Sequence, residues 1–494
     1  MSEPPVEHLD VLVVGAGISG IGTAWHLRQQ HPQRSLALLE ARDELGGTWS
    51  LFRYPGVRSD SDLATFAYGF RPWTGERAIA DGPDILRYLQ DTAREGGLDQ
   101  LVRYGHRVRR ASWSTADARW TVEVEHGGEL RRMTCSWLFC ASGYYRYDAG
   151  HSPEFPGIER YAGTLVHPQT WPADLEVTGR RVVVIGSGAT AVTLLPALAR
   201  SAAHVTMLQR SPSYVMPLPS IDALANLVRR VAGPERAHRL VRRKNIALQR
   251  FGYRLARNRP ELFKRLLRRQ QVRRLPPGFD LAHFTPSYQP WDQRVCMVPD
   301  GDLFRAIARG TASVVTGRIA TFTEHGVRLE TGEELAADVV VTATGLQLLA
   351  FGGIALEVDG QPVALAETLS YKGMMLSGVP NFAYAVGYVN ASWTLKVDLV
   401  AGHLCRLLAA LDAAGADWAV PQRPDGDGPT RPLLDFAAGY VQRSVDRFPR
   451  QGSGAPWVVN MDYAADRALL ERGPVLDPAL VLGRAAVTDV TAVR

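Results

Sequence analysis

The stretch LDVLVVGAGISG, residues 9–20, decides the fold of this chain. Its first half is the apolar run of a short buried strand. Gly15 to Gly20 then follow in the spacing G-x-G-x-x-G and open a helical pattern. Residues 35–39 predict a second strand that ends at Glu40, twenty residues after Gly20. Strand, glycine turn, helix and strand in this order indicate the βαβ unit of a doubly wound parallel sheet.

This glycine turn has the properties of a dinucleotide site. Gly15 permits the tight turn, Gly17 lets the main chain approach a pyrophosphate, and Gly20 lets helix and strand pack closely. The free N–H groups at the start of the helix attract phosphates. We predict that these glycines and Ser19 bind FAD, and that Glu40 accepts hydrogen bonds from ribose hydroxyls.

A second glycine turn lies in the middle of the chain, in the sequence Gly186-Ser187-Gly188-Ala189-Thr190-Ala191. The strand after it, residues 204–208, ends at Gln209-Arg210 where an acid would favour NADH. A carboxylate would repel a 2′-phosphate, whereas a guanidinium binds one bidentately. We therefore predict that Gly186 to Thr190, Gln209 and Arg210 bind NADPH. The alternative, in which Arg210 is a solvated surface residue, stays open.

Composition and cysteine usage narrow the class of protein. The 494 residues are 46% hydrophobic and 21% charged, which is typical of a globular chain of two or three domains. The start, MSEPPVEHLD, lacks the features of a signal peptide, and no run of eighteen apolar residues occurs. The four cysteines form no C-x-x-C pair, which argues against dithiol chemistry, a disulfide framework and a metal site. We expect a cytoplasmic flavoprotein that takes hydride from NADPH.

Two further stretches resemble the signatures of the Baeyer–Villiger flavin monooxygenases. Residues 161–172, YAGTLVHPQTWP, match F-x-G-x-x-x-H-x-x-x-W-(P/D), with Tyr161 in place of Phe. The related N- and S-oxygenases usually have Tyr or Phe in place of Trp171. Residues 46–60, GGTWSLFRYPGVRSD, fill every specified place of (A/G)-G-x-W-x-x-x-x-(F/Y)-P-(G/M)-x-x-x-D. We interpret His167 as a hydrogen-bonded residue of the domain linker and not as a catalytic group.

The resemblance implies roles for the residues of loop 46–60. In the family this loop runs along the flavin, so Thr48 and Trp49 are expected to bind FAD, together with Val108. The residues before the terminal aspartate contact the nicotinamide cofactor, which assigns Arg58 and Ser59 to NADPH. Asp60 faces the active site and is expected to contact FAD as well. A loop-capping role for Asp60 is the alternative.

By the same resemblance Arg294, in PWDQR (290–294), is the active-site arginine of the family. Reduced flavin adds oxygen to give a C4a-peroxide, and a permanent cation beside it stabilises the anionic form that attacks a carbonyl. Asp60 would hold and orient Arg294. Gln293 stands where many members have Lys, so selectivity for NADPH rests on Arg210. A structural ion pair is the alternative for Arg294.

The resemblance covers almost the whole chain and is to the branch that contains the mycobacterial ethionamide-activating monooxygenase. Matching segments include VIGSGATAVTL (184–194), GDLFRAI (301–307) and NASWTLK (390–396). It implies an NADPH- and O₂-dependent FAD enzyme that converts a ketone to an ester or lactone and also oxidises sulfides or thioamides. The alternatives are an N- or S-oxygenase without ketone activity and a redox-silent binding protein.

These observations predict an α/β fold with two Rossmann-like dinucleotide-binding domains and a helical insertion. The FAD-binding domain is formed by residues 1–150 and 346–494. The second of these segments also contains the C-terminal elements that close the fold. The NADPH-binding domain is formed by residues 151–220 and 286–345. The insertion spans residues 221–285.

The insertion is strongly basic. Residues 221–274 contain 17 Lys and Arg against 3 Asp and Glu, a balance of +14, so the remainder of a chain with net charge +6 carries −8. One interpretation is peripheral contact with anionic lipid, because basic and apolar residues alternate. Another is the wall of a substrate channel with a solvated basic face. Nucleic-acid binding is disfavoured, because no recognised motif accompanies the charge.

Overall fold

The computed structural model describes residues 6–423 and 428–486. The described strands, in chain order, are β1 (His8–Val14), β2 (Leu36–Leu39), β3 (Val102–Arg103), β4 (Arg107–Ser114), β5 (Arg119–His126), β6 (Glu129–Cys140), β7 (Thr164–Val166), β8 (Arg181–Ile185), β9 (His204–Gln209), β10 (Val215–Leu218), β11 (Cys296–Pro299), β12 (Ala312–Thr316), β13 (Ile319–Thr323), β14 (Gly326–Leu329), β15 (Glu334–Ala336), β16 (Val339–Thr342), β17 (Ala355–Val358), β18 (Gln361–Pro362), β19 (Ser370–Tyr371), β20 (Met375–Leu376), β21 (Phe382–Tyr384), β22 (Trp418–Pro421), β23 (Arg431–Pro432), β24 (Arg450–Gln451) and β25 (Leu480–Gly483).

The described α-helices are α1 (Ile18–Gln30), α2 (Thr48–Leu51), α3 (Leu63–Phe66), α4 (Gly82–Glu95), α5 (Ala189–Leu198), α6 (Ala223–Ala232), α7 (Pro234–Asn258), α8 (Pro260–Val272), α9 (Asp302–Ala308), α10 (Trp393–Ala414), α11 (Gly439–Gln442) and α12 (Tyr463–Asp466). A π-helical turn, Arg467–Arg472, continues α12. Within the described ranges no helix is both long and apolar enough to cross a membrane.

The first sheet is built around β1. This strand pairs in parallel with β2 on one side and β6 on the other, so that Val11 lies opposite Leu36 and Trp137. Strands β4, β5 and β6 form an antiparallel meander beside it, and β21 from late in the chain pairs in parallel with β6. Helices α1 and α10 pack together in its core. The first and last parts of the chain therefore share one sheet.

The first two strands of the meander are joined by a short turn. It spans residues 115–118, between β4 and β5. The turn contains neither Gly nor Pro and is closed by the Ser114 hydroxyl, which donates to the Asp117 carboxylate at 2.9 Å. The third strand, β6, is exposed over its first four residues and buried over its last four, where it joins the centre of the sheet.

The second sheet consists of five parallel strands in the order β12, β9, β8, β16, β7. Its centre is apolar on both faces, and Val339, Val340 and Val341 of β16 are fully buried. Continuous apolar strands of this kind are typical of parallel sheets covered on both sides. The parallel strands of the first, mixed sheet, the parallel second sheet and their crossover helices confirm the predicted α/β class.

The basic insertion is helical as predicted and consists of α6, α7 and α8. Its inner side rests on the domain of the first sheet, where α7 packs against α3. The His238 imidazole Nε2 donates to the Tyr68 carbonyl at 3.1 Å. Arg242 pairs with Asp398 at 3.1 Å, and the Asn245 amide donates to Asp62 at 2.7 Å. The insertion is thus fixed to the body of the protein by polar contacts.

Two buried lysines form ion pairs that connect the final described segment to the core of the first domain. The Lys396 ammonium pairs with Asp466 at 2.7 Å, and both side chains are almost completely buried. The Tyr388 hydroxyl also donates to Asp466, at 2.7 Å. The Lys372 ammonium pairs with Asp477 at 2.9 Å. Buried charges require partners, so this segment is an integral part of the core.

Acidification from pH 7 to pH 5 is expected to destabilise the fold. Burial lowers the pKa of His238 and of His403 to about 4. The unfolded chain takes up these protons near pH 6.5 and the folded chain only near pH 4. Stability is therefore lost as the pH falls through this window, by roughly 2 kcal/mol for each histidine at pH 5. Melting temperatures at the two pH values measure the loss.

The matched control is the double variant His238→Gln/His403→Asn, which retains amide donors at the positions of the two imidazole N–H groups. This variant should lose less of its melting temperature on acidification than the parent protein. An unchanged pH dependence in the double variant would show that other groups are responsible.

Candidate functional site

A cavity of about 1230 Å³ lies where loops from both sheets converge. Its walls include residues that directly follow the parallel strands β1, β6, β8 and β16, namely Gly15, Ala141, Gly186 and Ala343. Ligands of doubly wound proteins bind at the carboxyl ends of such strands. The fold therefore brings the two glycine turns, which are 171 residues apart in the sequence, into one site.

The first glycine turn has the close approaches expected for its sequence. Gly15 has φ +103°, and a Cβ there would lie 2.7 Å from the Ala141 carbonyl oxygen. Gly17 lines the cavity at the start of α1. Gly20 does not line it, and a Cβ on this residue would lie 1.9 Å from the Gly15 carbonyl oxygen. Gly20 thus permits close packing of helix and turn, and the other two glycines face the ligand space.

Glu40 lies at the end of β2 and lines the same part of the cavity. Its carboxylate accepts hydrogen bonds from the main-chain N–H groups of Ala16 at 2.9 Å and Arg42 at 3.0 Å. Burial raises the pKa of the Glu40 carboxyl, and these two hydrogen bonds oppose that change. The turn and the acid are therefore held together as one unit.

The other residues expected to bind FAD also line the cavity. These are Ser19, Thr48, Trp49, Asp60 and Val108. The Ser19 hydroxyl accepts a hydrogen bond from the Trp393 indole at 2.8 Å, so α10 helps to hold this wall. Gly17 faces Gly47 across a narrow gap, since a Cβ on Gly17 would lie 3.4 Å from the Gly47 Cα. The donor groups and the space fit a dinucleotide here.

The second glycine turn is open toward the cavity. Gly186 has φ +141°, and a Cβ there would lie 2.3 Å from the Ala343 carbonyl oxygen. A Cβ on Gly188, at the start of α5, would meet no atom within 4 Å. Ser187, Ala189 and Thr190 line the cavity beside it. The space next to Gly188 is a cradle that fits a second dinucleotide.

Gln209 and Arg210 occupy different environments. Gln209 is almost fully buried and does not line the cavity, because its amide donates to the His283 carbonyl and to the Thr316 hydroxyl. Arg210 is exposed and lines the cavity. The sequence interpretation missed Arg318, which also lines the cavity just after β12, the parallel neighbour of β9. Its signal was similar to that of Arg210, since Arg318 is a basic residue that lies two positions after a short apolar strand.

Arg58 and Ser59 line the same cavity as the two glycine turns. One Arg58 nitrogen, Nη1, donates to Asp302 at 2.6 Å. The other two, Nε and Nη2, are buried and have no hydrogen-bond partner in the described structure. Buried guanidinium N–H groups are costly when unpaired, so they fit a ligand that accepts hydrogen bonds.

The structure brings Arg294 and Asp60 together, with Nη1 and Oδ2 3.7 Å apart. The Arg294 side chain is 37% exposed, and both residues line the cavity. Burial lowers the pKa of the Arg294 guanidinium, but Asp60 and nearby phenol groups more than offset this and raise the pKa. Arg294 therefore carries a permanent positive charge inside the cavity.

Three tyrosines complete this part of the cavity and were not predicted. Tyr144, Tyr145 and Tyr440 line it, and the Tyr144 and Tyr145 hydroxyls are 3.2 Å apart. Burial raises the pKa of all three phenols. The hydroxyls are therefore neutral hydrogen-bond donors near Arg294. Tyr144 and Tyr145 lie in the loop that follows β6, four and five residues after its end, which was a usable signal, whereas nothing in the local sequence marks Tyr440.

Two further side chains, those of His167 and Cys296, have surroundings that argue against a catalytic role. His167 does not line the cavity, and its Nδ1 accepts from the Gln169 main-chain N–H at 3.1 Å. This agrees with its interpretation as a linker residue. Cys296 lines the cavity, but burial raises the pKa of its thiol to about 12, so it is not a thiolate nucleophile. In the described ranges no group of three or more metal-binding side chains occurs.

The interpretation of the insertion as a channel wall does not hold for this cavity. None of the residues 221–285 lines it, because the inner side of the insertion faces the first domain. The segment near Asn390, in contrast, contributes Tyr388, Ala391 and Trp393 to the wall.

Comparisons with known families agree with this architecture. The family model described as "Flavin-binding monooxygenase-like" matches residues 80–357. The model described as "NAD(P)-binding Rossmann-like domain" matches residues 13–82. Together with the parallel βαβ units of the two sheets, these matches confirm the predicted pair of Rossmann-like domains.

Several curated proteins are similar over nearly their whole length. The FAD-containing monooxygenase EthA of Mycobacterium tuberculosis (strain H37Rv) is 52% identical over 476 residues, which cover 96% of this chain and 97% of that protein. EthA of Mycolicibacterium smegmatis is 50% identical with the same coverage.

Solved structures share the fold at low sequence identity. An oxidized steroid monooxygenase bound to NADP superposes with a TM-score of 0.76 at 21% identity, covering 97% of this chain and 100% of that one. A closed structure of cyclohexanone monooxygenase has a TM-score of 0.74 at 19% identity, with the same coverage. At such identities the likeness concerns the fold.

Proposed function

This chain belongs to the flavin-binding monooxygenase-like family, and from that membership we propose that it is an NADPH-dependent Baeyer–Villiger monooxygenase containing FAD. The observation that carries the proposal is the Arg294–Asp60 pair in a cavity lined by both glycine turns. A permanent cation at that position suits oxygen transfer to a carbonyl, where negative charge develops on the substrate oxygen.

FAD is assigned to the first half of the cavity. Gly15, Gly17 and Ser19 would contact its pyrophosphate at the start of α1, and Glu40 would face a ribose. Thr48, Trp49 and Val108 would lie along the remainder of the group. The domain that holds it is proposed to comprise residues 1–150 and 346–494. The FAD-containing relatives of 50% and 52% identity support this assignment.

NADPH is assigned to the second half. Gly186, Gly188 and the start of α5 would receive its pyrophosphate, and the unpaired N–H groups of Arg58 would donate to it. Arg210 and Arg318 follow the neighbouring parallel strands β9 and β12, and they would offer two guanidinium groups to the 2′-phosphate that NADH lacks. The surrounding domain is proposed to comprise residues 151–220 and 286–345.

When bound, FAD reduced by NADPH supplies an activated oxygen atom. The contribution of the protein is electrostatic. Arg294 stabilises the negative charge that develops on the carbonyl oxygen of the substrate, and Asp60 orients the guanidinium. Tyr144 and Tyr440 are neutral donors beside it, so they can hold the carbonyl oxygen or the product oxygen. The apolar and aromatic wall formed by Trp393 and its neighbours limits access of water.

Oxidation of sulfides or thioamides is a second candidate activity. It is supported by the 52% identity with EthA over nearly its whole length, together with the resemblance to an ethionamide-activating branch, since ethionamide is a thioamide. An enzyme limited to sulfur or nitrogen substrates would not need a charge beside a carbonyl oxygen, which favours ketone oxidation as the main proposal.

The test is a reaction with a methyl ketone, NADPH and ¹⁸O₂. The proposal requires an ester that contains one ¹⁸O atom and forms in step with NADPH consumption. A parallel reaction with a thioamide measures S-oxidation. Loss of NADPH with hydrogen peroxide as the only product would contradict both activities, and labelled S-oxide without ester would contradict the main proposal.

A further inference from the structure

The exposed apolar side chains of this protein are concentrated in the helical insertion. The described residues include 14 large hydrophobic side chains that are exposed, and ten of them lie between residues 221 and 272. The ten are Ile221, Leu224, Leu227, Val231, Leu240, Leu248, Phe251, Leu262, Leu266 and Val272. An exposed apolar patch of this kind marks an interaction surface.

These residues lie on the outward face of the helices. On α7, Leu240, Leu248 and Phe251 fall within an arc of about 80° at 100° per residue. The opposite side of α7, with His238 and Ala256, is buried against the body of the protein. Phe251 is 66% exposed and Val231 on α6 is 81% exposed. The inner face is therefore covered by the fold, whereas the outer face has no partner among the residues that the structure describes.

Arginines share the outward face. Arg236 and Arg243 lie beside the apolar arc of α7. Arg269 is exposed one turn after Leu266, and Arg273 is exposed directly after α8. In the described structure no carboxylate, other side chain or carbonyl group binds the guanidinium groups of eight arginines of the insertion, namely Arg230, Arg236, Arg239, Arg243, Arg259, Arg268, Arg269 and Arg273. The insertion thus combines unpaired positive charge with exposed apolar side chains.

We propose that the outer face of the insertion, residues 221–273, docks on an anionic lipid membrane. Aliphatic side chains enter the boundary between headgroups and acyl chains, while arginines on the same face contact lipid phosphates. A second copy of the same face fits poorly, because two segments of +14 repel each other. Nucleic acid fits poorly as well, because nine of the ten side chains are aliphatic and cannot stack on bases.

Docking through this face leaves catalysis unobstructed. None of the residues 221–285 lines the large cavity. Substitutions on the outer face should therefore change membrane binding and leave NADPH-dependent turnover unchanged, which makes the two properties separable in experiment.

The test is co-sedimentation of the full FAD-loaded chain with vesicles. Vesicles of phosphatidylcholine with about 30% phosphatidylglycerol should bind the protein, and pure phosphatidylcholine should not. Raising NaCl from about 0.1 M to 0.5 M should weaken binding, because salt screens the charges. Absence of pelleting with anionic vesicles at low salt would overturn the proposal, whether or not the protein then binds RNA or a second copy.

Variants separate the two contributions. Arg236→Gln/Arg239→Gln/Arg243→Gln should weaken binding by about 100-fold, and Leu240→Ser/Leu248→Ser/Phe251→Ser by at least about tenfold. The matched control, Val6→Ser/Leu130→Ser/Leu476→Ser, removes three exposed apolar side chains elsewhere and should bind as the parent does. Turnover with NADPH verifies that each variant is folded. Equal losses in the control and in the α7 variants would also overturn the proposal.

Discussion

Replacement of Arg294 by alanine is expected to abolish ester formation while NADPH still reduces the flavin. The guanidinium lies 3.7 Å from Asp60 in the cavity and carries a permanent charge there. Removing such a group costs about 10²- to 10³-fold in the oxygen-transfer step, because negative charge on the substrate oxygen loses its stabilisation. Stopped-flow absorbance measures flavin reduction, and chromatography measures the ester.

Two controls define the result. Arg294→Lys keeps the charge but loses the planar fork, so it should retain more activity than the alanine variant. Arg131→Ala, on β6 and outside the cavity, should behave as the parent protein. If the alanine variant forms ester at the parent rate, Arg294 is a structural ion pair. If flavin reduction is lost as well, its role is in NADPH binding.

Substitution of Gly188 by valine is expected to abolish reduction by NADPH without loss of FAD. A Cβ on Gly188 meets no atom within 4 Å, so the larger side chain fits the protein itself and occupies the proposed place of the pyrophosphate. Displacement of the cofactor by about 1 Å is enough to lower its reaction rate by about 100-fold. The decrease of flavin absorbance after mixing with NADPH under anaerobic conditions measures the rate of flavin reduction.

Gly252→Val is the matched control, because a Cβ there also meets no atom within 4 Å and the residue lies on α7, away from the cavity. Dithionite should reduce the flavin of the Gly188 variant normally, which shows that FAD is bound and the protein folded. Rapid reduction of that variant by NADPH would contradict the assignment of the second glycine turn.

The parts of the site that could be predicted are those encoded by local pattern. A buried strand, a turn with glycines at fixed spacing and the start of a helix occupy a few consecutive residues, so the turns at Gly15 and Gly186 were evident from the sequence. The pairing of Asp60 with Arg294 joins residues 234 positions apart and came only from resemblance to a family. Geometry then placed the two side chains in one ion pair.

The parts that could not be predicted depend on packing between distant segments. Gln209 and Arg210 are neighbours in sequence, yet Gln209 is buried and donates to the His283 carbonyl, whereas Arg210 lines the cavity. Tyr440 reaches Arg294 from near the end of the chain. The helical character and charge of the insertion were evident, but its orientation depends on Asp62, Asp398 and Asp462, which lie outside it.

The partners of Lys396 limit where this chain can be shortened. A protein truncated before Asp466 would leave the Lys396 ammonium buried without a counter-charge, which typically costs about 3–5 kcal/mol. It would also leave the Tyr388 hydroxyl, on a residue that lines the cavity, without its acceptor. Asp466, which lies 78 residues after Tyr388 in the sequence, thus helps to position this part of the cavity wall. Removal of the segment that contains Asp466 is therefore expected to change the cavity as well as to lower the stability of the fold.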